Sequence, residues 1–229
     1  MTVYLLDITT LGQAAFGGGL RELLEGEKCE KLMYDCRKDS DILQHKHQVK
    51  LANVLDLQLL EVVHRQGTFQ NSVNYLWGYK KCLEGYLNDQ KLVAIKDRGT
   101  KQMLVSKANK QDVWAQRPLN DLLKEYCAVD TSAMFALLKV LSSDEDLASV
   151  KAASARYVDY MRSYKTLPNP RFIFHAKLPR NILSVGGGYR SVECTGCRKM
   201  FAKGEFIKQH IHQKIQVCKV CHLIKKGRR

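Results

Sequence analysis

The chain opens on a short apolar run, Val3–Ile8 (VYLLDI), rich in β-formers and closed by Thr9-Thr10. Apolar character without alternation predicts a strand buried on both faces. Lys31–Tyr34 (KLMY) and Lys50–Leu55 repeat the pattern. Between these runs the period changes to a helical one. Leu20, Leu23 and Leu24 mark a short helix in RELLEGE, Asp39–Gln48 opens with acidic and Ser residues as a helix start does, and Leu57–Arg65 keeps helical spacing. Val73–Leu87 is helical by period. Asn120–Leu141 reads as one long amphipathic helix, with Leu122, Leu123, Tyr126, Ala133, Met134, Leu137 and Leu138 on its apolar side. Ser142-Ser143-Asp144-Glu145 breaks that helix and caps another, which runs to about Tyr164 and ends at Pro168-Asn169-Pro170. Strands alternating with helices predict an α/β fold with a largely parallel sheet. Beyond residue 165 the alternation stops. Arg171–Leu178 (RFIFHAKL) reads as one more strand, and Gly186–Gly188 as a flexible joint.

Charge divides the chain at the same place. Residues 165–229 hold 15 Lys/Arg against 2 Asp/Glu, so nearly all of the net +14 lies in the last 65 residues. A basic surface on a neutral body points to a polyanionic partner, nucleic acid first; a solubility tail or a localisation signal is the plainer reading. Hydrophobic residues make up 45% of the chain, enough for a buried core. No stretch approaches the ~18 apolar residues of a membrane helix. The N-terminus has no basic segment ahead of its apolar run and carries Asp7, which is unlike a secretory signal. The expected setting is therefore intracellular, cytoplasmic or nuclear, with no membrane partner.

The eight cysteines follow the same division. Cys29, Cys36, Cys82 and Cys127 are scattered singly, whereas Cys194, Cys197, Cys218 and Cys221 form two CxxC pairs. C-x2-C-x20-C-x2-C fits a structural zinc site of four thiolates, each pair forming a knuckle around one ion. So short a segment cannot fold on apolar burial alone, and Phe201 and Phe206 would supply its small core. A mixed set that uses His210 and leaves Cys221 idle is the rival arrangement, with His212 too close to serve as a second histidine. The surrounding Arg198, Lys199, Lys203, Lys208, Lys225, Lys226, Arg228 and Arg229 are the candidate phosphate contacts. The expected organisation is a domain over 1–164, a linker over 165–189, a four-cysteine module over 190–224 and a basic tail over 225–229.

Three stretches of the first part carry candidate chemistry. Asp35, Asp39 and Asp41 crowd a strand-to-helix turn in KLMYDCRKDSDIL; the second stretch is VWAQRPL, and the third is EYCAVD. On a helix Tyr126 and Asp130 share one face, one turn apart. A carboxylate and a phenol so placed can hold a metal and orient a water; equally, Tyr126 is a core residue and Asp130 a solvated one. Taken in order, YDCRKDSDIL, NVLDLQLL, WAQRPL and YCAVD resemble the 3′–5′ exonucleases of the DEDD superfamily, of the ribonuclease D type, in the Egalitarian-like and exonuclease 3′–5′ domain-containing branch. The resemblance covers about residues 3–140.

The resemblance implies a ribonuclease H-like sheet presenting four acids that hold two divalent ions. It carries the second acidic motif onto Asp39 and the Tyr-x3-Asp motif onto Tyr126 and Asp130. The Asp-Thr-Gln run becomes Asp56-Leu57-Gln58. The first motif, Asp-x-Glu, has no counterpart: Asp7-Ile8-Thr9 lacks the Glu, and VYLLDI matches the third strand of the family, as though the first strands were missing. Two hard cations side by side need several carboxylate oxygens. The expectation is thus an RNA-binding, exonuclease-like protein without hydrolysis, working in an RNA-handling complex with a protein partner or a second copy of itself. The alternatives are an active exonuclease on single-stranded RNA or DNA, using Mg²⁺ or Mn²⁺, and a protein-interaction scaffold.

Overall fold

The computed structural model describes residues 2–69, 75–142, 147–162, 170–173, 175–177, 182–183, 191–207 and 215–227. In chain order the elements are helices α1 (Ile8–Leu11) and α2 (Leu20–Glu25), strand β1 (Lys31–Met33), helix α3 (Arg37–His47), strand β2 (Val54–Asp56) and helices α4 (Leu57–Phe69), α5 (Tyr79–Cys82), α6 (Gln90–Ala108), α7 (Asp121–Ser132), α8 (Met134–Leu141), α9 (Leu147–Arg162) and α10 (Pro170–Ile173). A hairpin of β3 (Ser191–Glu193) and β4 (Met200–Ala202) follows, and helix α11 (Lys219–Lys225) ends the described chain. They fall into two compact units: Met1–Leu23 with Gly78–Asp144, and Leu24–Trp77 with Glu145–Arg229.

The second unit is built on a parallel pair, β1 beside β2, with Leu32 opposite Leu55 and Met33 opposite Asp56. The side chains of β2 are all buried. Helix α9 packs on β2, α3 and α4, and its small residues Ala153 and Ser154 permit the approach: the Asp56 N–H donates to Ser154 Oγ at 3.0 Å. Leu51, Leu55, Leu57, Leu59, Leu60, Tyr157 and Val158 fill this core. The expected strands at 31–34 and 50–55 and helices at 39–48 and 57–65 are thus present, with ends shifted by a few residues.

The first unit is helical. Asp89 caps α6 by accepting from the Lys91 and Leu92 N–H groups, and Asn120 caps α7 by accepting from Leu122 N–H at 2.9 Å, as short polar side chains do. Leu83, Val93, Val129 and Ala133 form the core, with Tyr79, Leu87, Leu92 and Ile95 packed against it.

Several expectations are corrected. Val3–Ile8 is not a buried strand: Tyr4 is 84% exposed and Leu5 and Leu6 are exposed too. No strand pairs with this segment among the described residues, and an unpaired backbone is satisfied only at the surface. Asp7 turns instead to cap α1, accepting from the Thr10 N–H at 3.3 Å. The single helix expected over 120–141 breaks at Ala133. Just before the break Thr131 Oγ1 bonds back to the Ala128 carbonyl at 3.1 Å, a side-chain competition that weakens a helix. Among its described residues Arg171–Leu178 forms no strand: Pro170 opens the short α10, its fixed φ suiting a helix start, and Lys177 makes a single bridge to Tyr75. The helix expected over 73–87 begins only at Tyr79 and widens into a π-turn over Leu83–Leu87; its first two residues, 73–74, the Ser143–Glu145 cap and Gly186–Gly188 lie outside the described residues. The 19-residue α6 had no counterpart in the sequence expectation.

Candidate functional site

Asp39 sits in the first acidic turn of α3, on the exposed side, in the second unit. The turn that aims it is held by a neighbour. Asp56 is fully buried, and its carboxylate accepts from the N–H groups of Asp35 (3.1 Å), Cys36 (2.8 Å) and Gln58 (2.9 Å). Those bonds fix Asp35 in the left-handed region, φ 60°. Burial pushes the Asp56 carboxyl above its ordinary value against the pull of these donors, and burial beside Asp56 pushes the Cys36 thiol far up. The other acids of the turn are engaged. Arg37 clasps Asp35 with two bonds of 2.6 and 2.8 Å, donates to the His175 carbonyl at 3.2 Å and lies 5.4 Å from the Tyr157 ring centroid. Asp41 faces His45 at 3.7 Å.

Tyr126 and Asp130 are on α7 in the first unit, and the structure confirms that they share a face. That face meets α6. Lys96 Nζ bonds Asp130 Oδ1 at 2.5 Å, lies 3.3 Å from the Tyr126 ring centroid and 5.9 Å from that of Tyr79. Gly99, one turn further along α6, makes this approach possible: a Cβ there would stand 2.3 Å from Tyr126 Cδ2. Trp114, from the WAQRPL stretch, meets Tyr126 edge-on at 6.3 Å. Arg117 of the same stretch clasps Asp7 and holds its carboxyl far below the usual range. Asp130 is raised, because burial outweighs the pull of Lys96. The structure therefore joins two of the sequence stretches, WAQRPL and EYCAVD, in one unit, and the other two, around Asp39 and Asp56, in the other.

Lys96 and Gly99 were not among the expected site residues. Their signal is faint: Val93, Lys96, Gly99 and Ser106 form the buried stripe of α6, and a lysine and a glycine in such a stripe lower its apolar contrast. Asp39 lies in one unit and Asp130 in the other, so neither unit alone offers the residues for two divalent ions. Among the described residues of either unit, no group of three or more acids or histidines converges on a point, and Asp130 already bears an ammonium.

The four paired cysteines do converge. Cys194, Cys197, Cys218 and Cys221 are buried, their sulfurs all within 4.8 Å of one another, and none is in a disulfide. Cys197 and Cys218 Sγ are 3.9 Å apart; tetrahedral zinc, with bonds of about 2.3 Å, sets its sulfurs about 3.8 Å apart. The β3–β4 hairpin carries the first pair at its turn, closed by Arg198 N–H to the Cys194 carbonyl at 2.7 Å and Cys194 N–H to the Lys199 carbonyl at 2.8 Å. Cys218 begins α11. The Gly196 and Cys218 N–H groups point at Cys194 Sγ, at 3.4 and 3.2 Å, and hydrogen bonds from the three other thiols hold Cys194 strongly towards thiolate. Phe201 and Phe206 meet edge-on at 6.4 Å in a core completed by Phe172, Val217 and Val220. The donor set fits zinc, and the burial of Cys221 among the others is unlike the rival arrangement; His210 and His212 lie outside the described residues.

Of the expected phosphate contacts, Arg198, Lys203, Lys225 and Lys226 are exposed. Lys199 is corrected: it is 2% exposed, and burial lowers its amine to about 8, so it cannot meet a phosphate at the surface. Lys208, Arg228 and Arg229 lie outside the described residues.

Comparison with known proteins follows the same outline. Residues 2–144 match the 3′–5′ exonuclease family. The piRNA biogenesis protein EXD1 of Bombyx mori is 29% identical over 164 residues, 70% of this chain and 47% of its own length. The human protein of that name is 32% identical over 149 residues, 62% of this chain and 28% of its own. The chain thus spans about half, or less, of the relatives it matches. Among solved structures, Trypanosoma brucei RNase D bound to GMP superposes with a TM-score of 0.64 at 23% identity, covering 86% of this chain and 65% of that one. The same enzyme in complex with RNA U12 gives 0.59 at 24% identity, covering 89% and 67%. At these identities the likeness is one of fold. No described helix is long and apolar enough to cross a membrane.

Proposed function

The chain belongs to the 3′–5′ exonuclease family with a ribonuclease D-type, ribonuclease H-like fold, and from that premise we propose that it holds single-stranded RNA without hydrolysing it. The observation that carries this reading is the lack, among the described residues of either unit, of any converging group of acids. In-line displacement by two metal ions requires such a group. Asp39, Tyr126 and Asp130 are then family positions that keep their place without their chemistry.

In this reading the exonuclease-like part extends over 1–164, and a linker at 165–189 joins it to the cysteine module at 190–224. Cys194, Cys197, Cys218 and Cys221 hold a structural zinc ion, whose closed shell of thiolates stiffens the module. Arg198, Lys203, Lys225 and Lys226, with Lys208, Arg228 and Arg229, attract the phosphate backbone without reading bases. The named role of the relatives in piRNA biogenesis makes an RNA of that class the first to test. The setting is intracellular, cytoplasmic or nuclear, where thiols stay reduced, and the chain works beside a protein partner or a second copy of itself.

The test is end-labelled single-stranded RNA followed by fluorescence anisotropy and by gel, with Mg²⁺ or Mn²⁺ present. We expect binding that weakens as salt rises, and an RNA that stays intact. Stepwise 3′ trimming that disappears in Asp39→Ala overturns the reading in favour of an active nuclease, and no salt-dependent binding favours a protein scaffold.

A further inference from the structure

We propose that Lys96 is a resident counter-ion of Asp130: its ammonium occupies the carboxylate where a divalent cation would bind, and keeps that cation out. The proposal rests on the reading above and deepens it, because it names the group that silences one of the retained family positions.

The surroundings of Lys96 Nζ select an ammonium. One side is the Asp130 oxygen at 2.5 Å. Another is the face of the Tyr126 ring, 3.3 Å from its centroid, and a third is the ring of Tyr79 at 5.9 Å. Aromatic faces attract a weakly demanding cation. They offer no oxygen to Mg²⁺ or Mn²⁺, which need near-complete shells of oxygen ligands. Neither phenol oxygen is aimed at this point as a ligand: Tyr79 Oη donates to the Val129 carbonyl at 3.1 Å, and the ring of Tyr126 presents its face.

The placement of Lys96 is built into the helix pair. Its side chain is 8% exposed, against 40% for Asp130, so the cation comes from the protein side and leaves the solvent side of the carboxylate open. Gly99 lets Tyr126 approach α6 closely, which leaves its ring within reach of the Lys96 amine. A lysine so deep on the buried stripe of a helix is seldom found without such a partner. A divalent ion approaching Asp130 from solvent meets a fixed positive charge on the same carboxylate, and the repulsion between them is strong at that range.

The experiment uses the full zinc-loaded chain and measures Mn²⁺ binding by electron paramagnetic resonance. The variants are Lys96→Met, which keeps the apolar stem, Lys96→Arg, which keeps the charge, Asp130→Asn, and the Lys96→Met/Asp130→Asn double variant. We expect wild type, Lys96→Arg and Asp130→Asn to bind Mn²⁺ equally poorly. Lys96→Met should bind it about tenfold tighter or more, and the double variant should lose that gain. Asp130-dependent Mn²⁺ binding by wild type overturns the proposal, as does a folded Lys96→Met that gains nothing. Should Lys96→Met fail to fold, wild type decides by NMR: Tyr126 and Asp130 signals untouched by millimolar Mn²⁺ support the proposal, and selective broadening overturns it. RNA trimming by a wild type that shows no Asp130-linked Mn²⁺ binding sinks the parent reading alone. Asp130-linked binding without trimming sinks this proposal alone.

Discussion

Replacing Gly99 with alanine sets two effects against each other, and the structure decides the winner. In a helix interior alanine is favoured over glycine by about 1 kcal/mol, so a helix with room at this position would gain stability. Position 99 has no room. The new methyl would lie 2.3 Å from Tyr126 Cδ2, 2.9 Å from Cγ and 3.1 Å from Cβ. All three atoms belong to the rigid part of a tyrosine whose ring also meets Trp114 edge-on. Overpacking of this kind costs about 1–3 kcal/mol, at the upper end when the neighbour cannot rotate away. Moving Tyr126 or parting α6 from α7 also loosens the contact of Lys96 with Asp130, worth about 1 kcal/mol for a half-exposed pair. The balance is a net loss of about 1–3 kcal/mol, which lowers Tm by roughly 2–12 °C in a chain of this size. Gly78→Ala is the control, because nothing lies within 4 Å of its added methyl and its φ is negative; it should change stability by less than about 0.5 kcal/mol. Calorimetry or thermal circular dichroism reads both. A Gly99→Ala protein as stable as wild type, or more so, refutes the packing of α6 on Tyr126 and with it the position of Lys96.

Asp56→Asn puts an amide where three backbone N–H groups converge on a buried carboxylate, and should cost about 2–3 kcal/mol in urea unfolding; a cost near zero would show that the turn before α3 is held by something else. Cys197→Ser or a strong chelator should release one zinc ion per chain and unfold the module around Phe201 and Phe206, seen as lost zinc by metal analysis and lost near-ultraviolet dichroism; an unchanged spectrum after metal removal argues against a structural role. Arg117 depresses the Asp7 carboxyl, so the clasp contributes fully above the ordinary aspartate value of about 4 and is lost as pH falls through and below it. Asp7→Asn should remove that acid-side loss and leave stability at neutral pH little changed, since the pair is at the surface; a larger loss in Asp7→Asn at acid pH than at neutral pH is the wrong sign for this account.

The parts legible in the sequence are those that short-range physics dictates. The β2 run before α4 is apolar because it is covered on both faces, and the acid-rich opening of α3 is a helix start. The paired cysteines are legible because each C-x2-C sets two thiols on one knuckle, the pattern of a shared metal site. What the sequence hid came from tertiary packing. VYLLDI has the composition of a strand, but a strand exists only beside another, and Asp7 found a cap and Arg117 instead. Lys199 reads as a surface cation by type, yet the hairpin turns it inward. The face shared by Tyr126 and Asp130 followed from helical period alone, whereas Lys96 stands 34 residues from Asp130, and no periodicity in one helix tells which residue of another will meet it.

Acids that crowd together without a cation repel one another, and a fold that keeps them must remove that repulsion. Dispersal is one route: among the described residues of each unit, no three acids gather at a point. Internal neutralisation is the other. Asp35 is clasped by Arg37, Asp7 by Arg117 and Asp130 by Lys96, each within its own unit. These cations differ from a metal in one respect that matters for function. An ammonium or guanidinium is tethered to a helix and satisfies a carboxylate with directed N–H bonds, so it can neither exchange with solvent nor lower the pKa of a bound water as a divalent ion does. The four-cysteine cluster follows the opposite logic: an ion held there would be enclosed by four thiolates with no position free for substrate. Both arrangements spend charge on holding structure in place, which accords with the proposed reading of a protein that grips a polyanion without cutting it.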